Sequence, residues 1–293
     1  MVLLLAPAKL NLGLRLIARR SDGYHEIETV FLPLRLFDRL ELERAEEPGI
    51  RLEVRGAELP VDEENLAVRA ARMACEATGL AQALRLRLEK HIPVAAGLGG
   101  GSSDAAATIL GVERLSGKDL PASERAGLAL SLGADVPFFL GPRPSVGRGI
   151  GERLEPLTNV PEMWWLLLCF DFPVSTAWAY AEASRKLTLP REGSSIAALL
   201  GPSGVLFPPH SDLEPVTSLR HPEVGQAQRA LAEAGAMVTG MTGSGPTVYG
   251  RFESEGAAQG AAEALSLPRG ARTILVSSPG SDCDDWGWGV AKW

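Results

Sequence analysis

The sequence is poor in cysteine, and this scarcity disfavours a zinc site or a disulfide framework. Its three cysteines, Cys75, Cys169 and Cys283, lie about a hundred residues apart. None of them stands in a CxxC or Cys/His pair with the spacing that metal ligands need. A sparse, odd set of cysteines is typical of a reducing compartment, so we expect a cytoplasmic protein.

Excess positive charge and long apolar runs are also lacking. The net charge of −7 disfavours a general attraction to nucleic acid or anionic lipid, but a small anion could still be held by local positive charge. The longest apolar runs, such as MWWLLLCF at 163–170, fall far short of the ~20 residues that span a membrane. The apolar run at the start, MVLLL, is too short for a secretory signal, and we expect a first β-strand there. We therefore expect neither nucleic acid nor membrane as a partner.

What the sequence does contain is 293 residues of ordinary globular composition, enough for about two domains. Alternating apolar residues predict strands, for example at 10–16 and 83–89, and helical spacing predicts helices, for example at 65–78. Because these elements do not follow a strict βαβ order in the first third, we expect an α+β fold. A segment rich in Gly and Pro at 141–162 predicts a boundary between a domain 1–150 and a domain 151–293.

The most informative segment is PVAAGLGGGSSDAA at 93–106, between a predicted strand and a predicted helix. Glycines let backbone N–H groups approach a ligand closely, and the start of a helix carries positive partial charge. A glycine loop that enters a helix is therefore suited to an anion, usually phosphate. A flexible connector is the alternative, although each glycine costs chain entropy when it is ordered.

Two familiar phosphate motifs do not match this loop. A Walker A motif needs a lysine after the glycines, and none is present. In a dinucleotide fingerprint the third glycine would stand where Ser102 is, after Gly97 and Gly99.

The loop instead resembles the central motif of the GHMP kinases. APAKLNLGLRL at 6–16 resembles their N-terminal motif, and MTGSGPTVYG at 241–250 resembles their C-terminal glycine motif. Three motifs in the family's order, spread over nearly the whole chain, identify it as a member of this family.

Further segments resemble the branch of the family that acts on 4-diphosphocytidyl-2-C-methyl-D-erythritol. These segments are RRSDGYHEIETVF at 19–31, DEENLAVRAAR at 62–72, GADVPFFL at 133–140 and VSTAWAY at 174–180. The resemblance implies ATP-dependent phosphorylation of the 2-hydroxyl of that compound, in the non-mevalonate route to isoprenoid precursors. It also implies an N-terminal ribosomal-protein-like β/α domain and a C-terminal ferredoxin-like domain, with the active site in the cleft between them.

The resemblance assigns the chemistry to Asp135 and Lys9. Asp135 would accept the hydroxyl proton, and its apolar neighbours could desolvate the carboxylate and raise its basicity. Lys9 would pair with Asp135, lower the pKa of the hydroxyl and stabilise negative charge. The alternatives are an aspartate that caps a helix and a lysine at a strand edge that faces solvent.

The resemblance also implies ATP and Mg²⁺ as cofactors. ATP would be bound by Asn65, Lys90 and the loop residues Pro93, Val94, Ala95, Ala96, Gly97, Leu98, Gly99, Gly100, Gly101, Ser102 and Ser103. Ser103 could also touch Mg²⁺, directly or through water. Asn65 and Lys90 could equally be surface residues.

The substrate residues implied by the resemblance are Asn11, Tyr24, His25, Thr176, Tyr180, Gly243 and Ser244. Tyr24 can stack on a cytosine ring, and His25 can hydrogen-bond its edge. Tyr180 could instead be a core aromatic residue, and Gly243–Gly245 a simple hairpin turn.

Two positions depart from the pattern of this branch. Ser211 stands where asparagine is frequent, and the segment CFDFPVSTAWAY lacks the Asn-Pro pair expected before its valine. Two other functions stay open: a kinase for another alcohol, such as homoserine or mevalonate, and a non-catalytic nucleotide-binding protein on the same scaffold. The sequence is compatible with a monomer or a homodimer.

Overall fold

A computed structural model describes residues 1–186, 196, 200–201, 204–205, 209–267, 270–283 and 289–290. Three of the six tryptophans fall in the C-terminal tail outside these ranges, at 286, 288 and 293. No helix within the described ranges is both long and apolar enough to cross a membrane.

A seven-stranded sheet takes six of its strands from residues 2–156 and one from residues 289–290. Its strands are β1 (Val2–Arg19), β2 (His25–Arg44), β3 (Gly49–Arg55), β4 (Ala83–Glu89), β5 (Ser145–Gly149), β6 (Arg153–Pro156) and β13 (Gly289–Val290). β1 and β2 form a long antiparallel hairpin that is the backbone of this sheet. One end of β2 pairs with β5 and the other end with β4, so β2 runs through both halves of the sheet.

Helices cover one face of this sheet. They are α1 (Leu66–Thr78), α2 (Gly100–Ser116) and α3 (Ala122–Leu132), followed by a short 3-10 helix at Val136–Leu140. The apolar side chains of α1 and α2 pack with those of β1, β2 and β4 into a buried cluster. Burial of this face is the main force that fixes α2, and with it the glycine motif, on the sheet.

The second sheet has four antiparallel strands. They are β7 (Met163–Phe170), β10 (Val238–Met241), β11 (Val248–Phe252) and β12 (Ala271–Ser278); a separate pair, β8 (Leu200–Gly201) and β9 (Gly204–Val205), lies between them in sequence. The helices here are α4 (Thr176–Lys186), α5 (Glu214–Arg220), α6 (Pro222–Glu233) and α7 (Glu255–Ala264). The spatial order β10-β11-β7-β12 is that of a ferredoxin-like sheet, as expected.

The two sheets face each other across a shared core. Leu10 and Leu12 of β1 and Leu32 of β2 belong to the same buried cluster as Trp165 and Leu167 of β7. The alternating pattern of β1 sends these leucines into the interface, and the residues between them face the opposite side. This packing holds the central part of β1 between the two halves of the molecule.

The structure confirms the expected α+β fold and differs in detail. The helix after the glycine motif begins at Gly100, so the last four predicted loop residues form its first turn. The spacing of apolar residues does not predict the seven-residue α5, because the helix is short and carries Pro215 in its first turn. Gly289 pairs with Leu5 of β1, so β13 is an edge strand of the first sheet. The division at residue 150 stays a prediction.

The contact between α2 and the sheet gives a test of packing. A Cβ at Gly111 of α2 would lie 2.9 Å from Leu42 Cδ1 and 3.0 Å from Leu4 Cδ1, and both leucines are fully buried. We expect Gly111→Ala to lower the free energy of unfolding by about 1 kcal/mol, because overpacking outweighs the gain in helix propensity. Gly127 of α3 meets nothing within 4 Å. Gly127→Ala is the matched control and should raise stability by roughly 0.5–1 kcal/mol in urea unfolding. Equal effects of the two substitutions would contradict this packing.

Candidate active site

A cavity of about 870 Å³ collects most of the residues singled out in the sequence. It is lined by residues of β1 and β2, the glycine loop and first turn of α2, the residues just before the 3-10 helix, α4 and the loop between β10 and β11. The singled-out residues that line it are Lys9, Asn11, Tyr24, His25, Gly97, Gly99, Ser102, Asp135, Thr176, Tyr180, Gly243 and Ser244. Residues that lie far apart in sequence thus share one concave surface, as ligand sites do.

Lys9 lies at the floor of this cavity and is 3% exposed. Its Nζ donates a hydrogen bond to Asn11 Oδ1 and lies 3.5 Å from Asp135 Oδ2. Burial lowers the pKa of Lys9, and the nearby Asp135 carboxylate opposes that shift. The alternative of a lysine that faces solvent at a strand edge does not hold.

Asp135 stands immediately before the 3-10 helix but makes no capping hydrogen bond with its side chain. Its side chain is 34% exposed and lines the cavity, so one carboxylate oxygen can face Lys9 while solvent or a ligand reaches the group. The Asp135 side chain therefore does not cap the 3-10 helix.

The glycine loop is fixed from two sides. The carbonyl of Leu98 accepts a hydrogen bond from the Lys9 backbone N–H at 3.0 Å, and the carbonyl of Gly97 accepts one from Thr242 Oγ1 at 3.1 Å. Gly97 has φ +77, and a Cβ there would lie 2.4 Å from the Thr242 carbonyl oxygen. Only glycine satisfies both the left-handed backbone and this close approach.

The first turn of α2 presents the end of the motif. Gly99 precedes the helix, and Gly100, Gly101, Ser102 and Ser103 lie within it. Ser102 lines the cavity, whereas the Ser103 hydroxyl is buried and has no hydrogen-bond partner among the described residues. Free N–H groups of this turn supply the positive end of the helix dipole beside the cavity.

Not every predicted loop residue reaches the cavity. Ala96 and Leu98 are buried in the shared core, and the outward-facing Val94 is half exposed. Pro93 and Ala95 also lie outside the cavity lining, as do Gly100, Gly101 and Ser103.

Lys90 has a buried ionic environment of its own. Its Nζ donates to Asp38 Oδ2 and, at 2.7 Å, to Asp104 Oδ2. Burial lowers the pKa of Lys90, but the two carboxylates more than offset it, and the pKa lies above its ordinary value. A Cβ on Gly100 would lie 3.1 Å from this Nζ, so the ion cluster lies directly beneath the glycine motif. The cluster is outside the cavity lining, and direct contact of Lys90 with nucleotide stays a prediction.

Asn65 caps the start of α1. Its Oδ1 accepts a hydrogen bond from the Ala67 N–H at 3.0 Å, and its Nδ2 donates to the Pro60 carbonyl at 2.8 Å. An Asn before an apolar helical run is an ordinary N-cap signal in a sequence. Its contact with nucleotide also stays a prediction.

One wall of the cavity carries an aromatic cluster. The rings of His25 and Tyr180 have centroids 5.6 Å apart, and Tyr24 is exposed beside them. Burial and the positive charge of Arg19 lower the pKa of His25, which favours the neutral imidazole. His25 Nε2 is buried without a hydrogen-bond partner in the described part of the chain. A ring with this unsatisfied nitrogen can hydrogen-bond a polar ligand edge.

A neighbouring part of the cavity lining joins α4 to the C-terminal glycine motif. Thr176 Oγ1 and Ser244 Oγ lie 3.0 Å apart, and both residues line the cavity with Gly243. Because Thr176 is the first residue of α4, this part of the lining also presents a helix N-terminus to the cavity. The segment is thus more than a hairpin turn.

Sequence reasoning missed some of the lining. Arg19, Arg185 and Ser184 line the cavity and were not singled out. Arg19 adjoins the DGYH block, and Arg185 lies five residues after Tyr180 on α4; these positions were the available signals. At the first departure from the pattern, the Ser211 hydroxyl accepts a hydrogen bond from the Leu213 N–H at 3.3 Å.

Known proteins resemble this chain along most of its length. Residues 65–141 match the family model described as "GHMP kinases N terminal domain", and residues 191–268 match "GHMP kinases C terminal". A relative from Syntrophotalea carbinolica, named 4-diphosphocytidyl-2-C-methyl-D-erythritol kinase, is 40% identical over 93% of this chain and 97% of its own. A relative of the same name from Geobacter sulfurreducens is 41% identical over 89% of this chain and 93% of its own.

Solved structures show the same fold. A crystal structure of 4-(cytidine 5'-diphospho)-2C-methyl-D-erythritol kinase matches with a TM-score of 0.79 and 36% identity, over 95% of this chain and 99% of that chain. A homoserine kinase from Cytophaga hutchinsonii matches with a TM-score of 0.70 at 19% identity, over 99% of this chain and 96% of that chain. The second likeness concerns the fold alone.

The ion cluster beneath the glycine motif predicts a pH effect on stability. Burial raises the pKa of Asp104 from 3.8 to about 7; Lys90 opposes this shift and Asp38 adds to it. The folded protein therefore holds a proton that the unfolded chain releases above pH 3.8, and this contribution to stability falls as pH rises towards 7. Asp104→Asn should flatten that part of the curve of unfolding free energy against pH. The exposed Asp119→Asn should leave the slope unchanged. An unaltered slope in Asp104→Asn would contradict the assignment.

Proposed function

The chain belongs to the GHMP kinase family, and on this premise we propose that it phosphorylates the 2-hydroxyl of 4-diphosphocytidyl-2-C-methyl-D-erythritol with ATP. The observation that carries this proposal is the Lys9–Asp135 pair, 3.5 Å apart, at the floor of a cavity with a glycine-rich helix start and an aromatic wall. The names of relatives about 40% identical over most of the chain support the same substrate. The reaction belongs to the non-mevalonate route to isoprenoid precursors.

Asp135 acts as the general base in this proposal. Its carboxylate takes the proton of the 2-hydroxyl as the hydroxyl oxygen attacks the γ-phosphorus of ATP. The bond from that phosphorus to the β–γ bridging oxygen breaks, and ADP leaves with the electron pair. A positioned base contributes roughly 10²–10⁴-fold to such a step.

Lys9 supports the same step by its charge. Its ammonium lies between the Asn11 amide oxygen and the Asp135 carboxylate, so it is held in place without bound ligand. A fixed cation in a site of low polarity stabilises the negative charge that develops on the attacking oxygen and on the transferring group. Positioning and electrostatics of this kind dominate phosphoryl transfer.

ATP is held through its phosphates at the start of α2. The backbone N–H groups of Gly97–Ser102 provide donors, and the helix dipole favours the negative charge. Mg²⁺ prefers oxygen ligands, often one or two protein oxygens together with phosphates and water. The described residues contain no group of three His, Cys, Asp or Glu that could hold a metal alone. The unpartnered Ser103 hydroxyl fits a supporting ligand, and Mg²⁺, when bound with ATP, neutralises phosphate charge.

The cytidine end of the substrate fits the aromatic wall. Tyr24 and Tyr180 offer ring faces for the cytosine, and the neutral His25 offers both a donor and an acceptor to its edge. Ser244 and Thr176, with the N-terminus of α4, offer donors to the diphosphate. Asn11 lines the same cavity, and its side-chain oxygen accepts a hydrogen bond from Lys9 Nζ.

A competition experiment tests the substrate. The protein is incubated with Mg-ATP and equal amounts of 4-diphosphocytidyl-2-C-methyl-D-erythritol, mevalonate, homoserine and galactose, and the products are identified by mass spectrometry. We expect a phosphoryl gain on the cytidyl compound alone. A gain on another alcohol would keep the kinase and overturn the substrate. ATP binding without any transfer would favour a non-catalytic role.

Asp135→Asn tests the base. We expect kcat to fall by roughly 10²–10⁴-fold with little change in the KM for ATP, because Asn cannot accept the proton. Thermal unfolding is measured alongside, because the substitution also removes the carboxylate that faces the buried Lys9 ammonium and should lower the melting temperature. Asp119→Asn is the control that removes an exposed carboxylate away from the cavity. A kcat near wild type in Asp135→Asn would remove this residue from the chemistry.

A further inference from the structure

The cavity carries more positive charge than the chemistry uses. Its charged lining residues are Lys9, Asp135, Arg19 and Arg185, with His25 beside Arg19. Lys9 and Asp135 form the reacting pair at the floor. The two arginines take no part in that pair, and their position calls for a separate explanation.

Both arginines belong to the mouth of the cavity rather than to its floor. Arg19 is the last residue of β1 and is exposed, whereas Lys9 on the same strand is 3% exposed. Arg185 lies in the last turn of α4, and its side chain is 73% exposed. Residues that line a cavity and are also exposed to solvent form its rim.

Arg19 projects its charge into the site. It pairs with His25 across the β1–β2 hairpin, and its charge contributes to the lowered pKa of His25. No ion pair of Arg19 is found within the described ranges. Its neighbour Arg20 is engaged by Asp22 at 2.9 Å, outside the cavity lining. Arg19 therefore has a guanidinium that lines the cavity and is available to a ligand.

Arg185 is paired on its own helix but still faces the cavity. Its Nη1 donates to Glu182, three residues earlier, and Glu182 does not line the cavity. Exposed pairs of this kind hold weakly, so an anion that arrives at the rim can compete with Glu182.

The negative net charge of the chain is a reason to have positive charge at the entrance of the cavity. The chain carries a net charge of −7, which repels an anionic ligand at long range. A substrate with a diphosphate is itself anionic. Local positive charge at the entrance overcomes this repulsion and raises the rate of encounter, with little effect on the chemical step.

We propose that Arg19 and Arg185 form a cationic rim that captures the diphosphate-bearing substrate at the cytidine end of the cavity. The rim acts on encounter and binding, and the phosphoryl transfer itself stays with the floor of the cavity. This inference rests on the proposed function, because it takes the diphosphate of that substrate as the group that is attracted.

The test compares two double variants with the same change in charge. Arg19→Gln with Arg185→Gln removes the rim, and Arg153→Gln with Lys186→Gln removes two positive charges outside the cavity lining. Each double variant moves the net charge from −7 to −9, because −7 − 2 = −9. Circular dichroism and thermal unfolding first establish that both are folded.

The readout is kcat/KM for 4-diphosphocytidyl-2-C-methyl-D-erythritol against ionic strength. At about 0.01 M salt, where the Debye length is ~30 Å, we expect the rim variant to lose about tenfold in kcat/KM with kcat unchanged. At about 0.15 M the Debye length is ~8 Å, and the loss should shrink to a few-fold. The control double variant should stay within about twofold of wild type throughout, and kcat/KM for ATP should change little in either variant.

Three results would overturn the rim. The first is an equal loss of kcat/KM in the control variant. The second is an equal loss of kcat/KM for ATP in the rim variant. The third is a fall in kcat of the rim variant that matches its fall in kcat/KM. The first two would indicate a field of the whole protein, and the third a role in chemistry. Wild-type turnover of the substrate is measured in the same series, so failure of the proposed function is seen separately from failure of the rim.

Discussion

The buried ammonium of Lys9 is the constraint on which the rest of the site depends. An unpaired charge at 3% exposure would cost several kcal/mol, so the fold must bring oxygen atoms to it. Asn11 supplies one from the same strand, and Asp135 supplies the other from the far end of the first sheet's helical layer. Because both partners converge on one Nζ, the base and the cation of the reaction are positioned before any ligand arrives.

A single threonine connects this pair to both glycine motifs. Thr242 Oγ1 accepts a hydrogen bond from the Asn11 backbone N–H at 2.9 Å and donates one to the Gly97 carbonyl. The C-terminal motif, the phosphate loop and β1 thus meet at one buried hydroxyl. The close approach of Gly97 to the Thr242 carbonyl leaves no room for a Cβ, which explains why the loop carries glycine at this point. The shared core between the two sheets keeps these three segments in register.

Much of the fold and of the site could be predicted from the sequence, because periodicity is local and the motifs are contiguous. Motif resemblance predicted Lys9, Asp135 and the aromatic residues around His25 as site residues, and the structure places them in one cavity. The environment of Lys90 could not be predicted, because its partner Asp38 lies 52 residues away and no local pattern reports that pairing. The rim was missed for a related reason: exposed arginines are common, and only the fold shows which of them line a cavity.

The most direct test of the account is a double-mutant cycle on kcat with Lys9→Met, Asp135→Asn and the combination. If the two residues act as one unit on the attacking hydroxyl, their effects are strongly non-additive, and the double variant is about as slow as the slower single variant. Each protein is measured at saturating ATP and substrate, with its fold checked by circular dichroism. Additive losses in the free energy of activation would show that Lys9 and Asp135 act independently and would contradict the central role given to their contact.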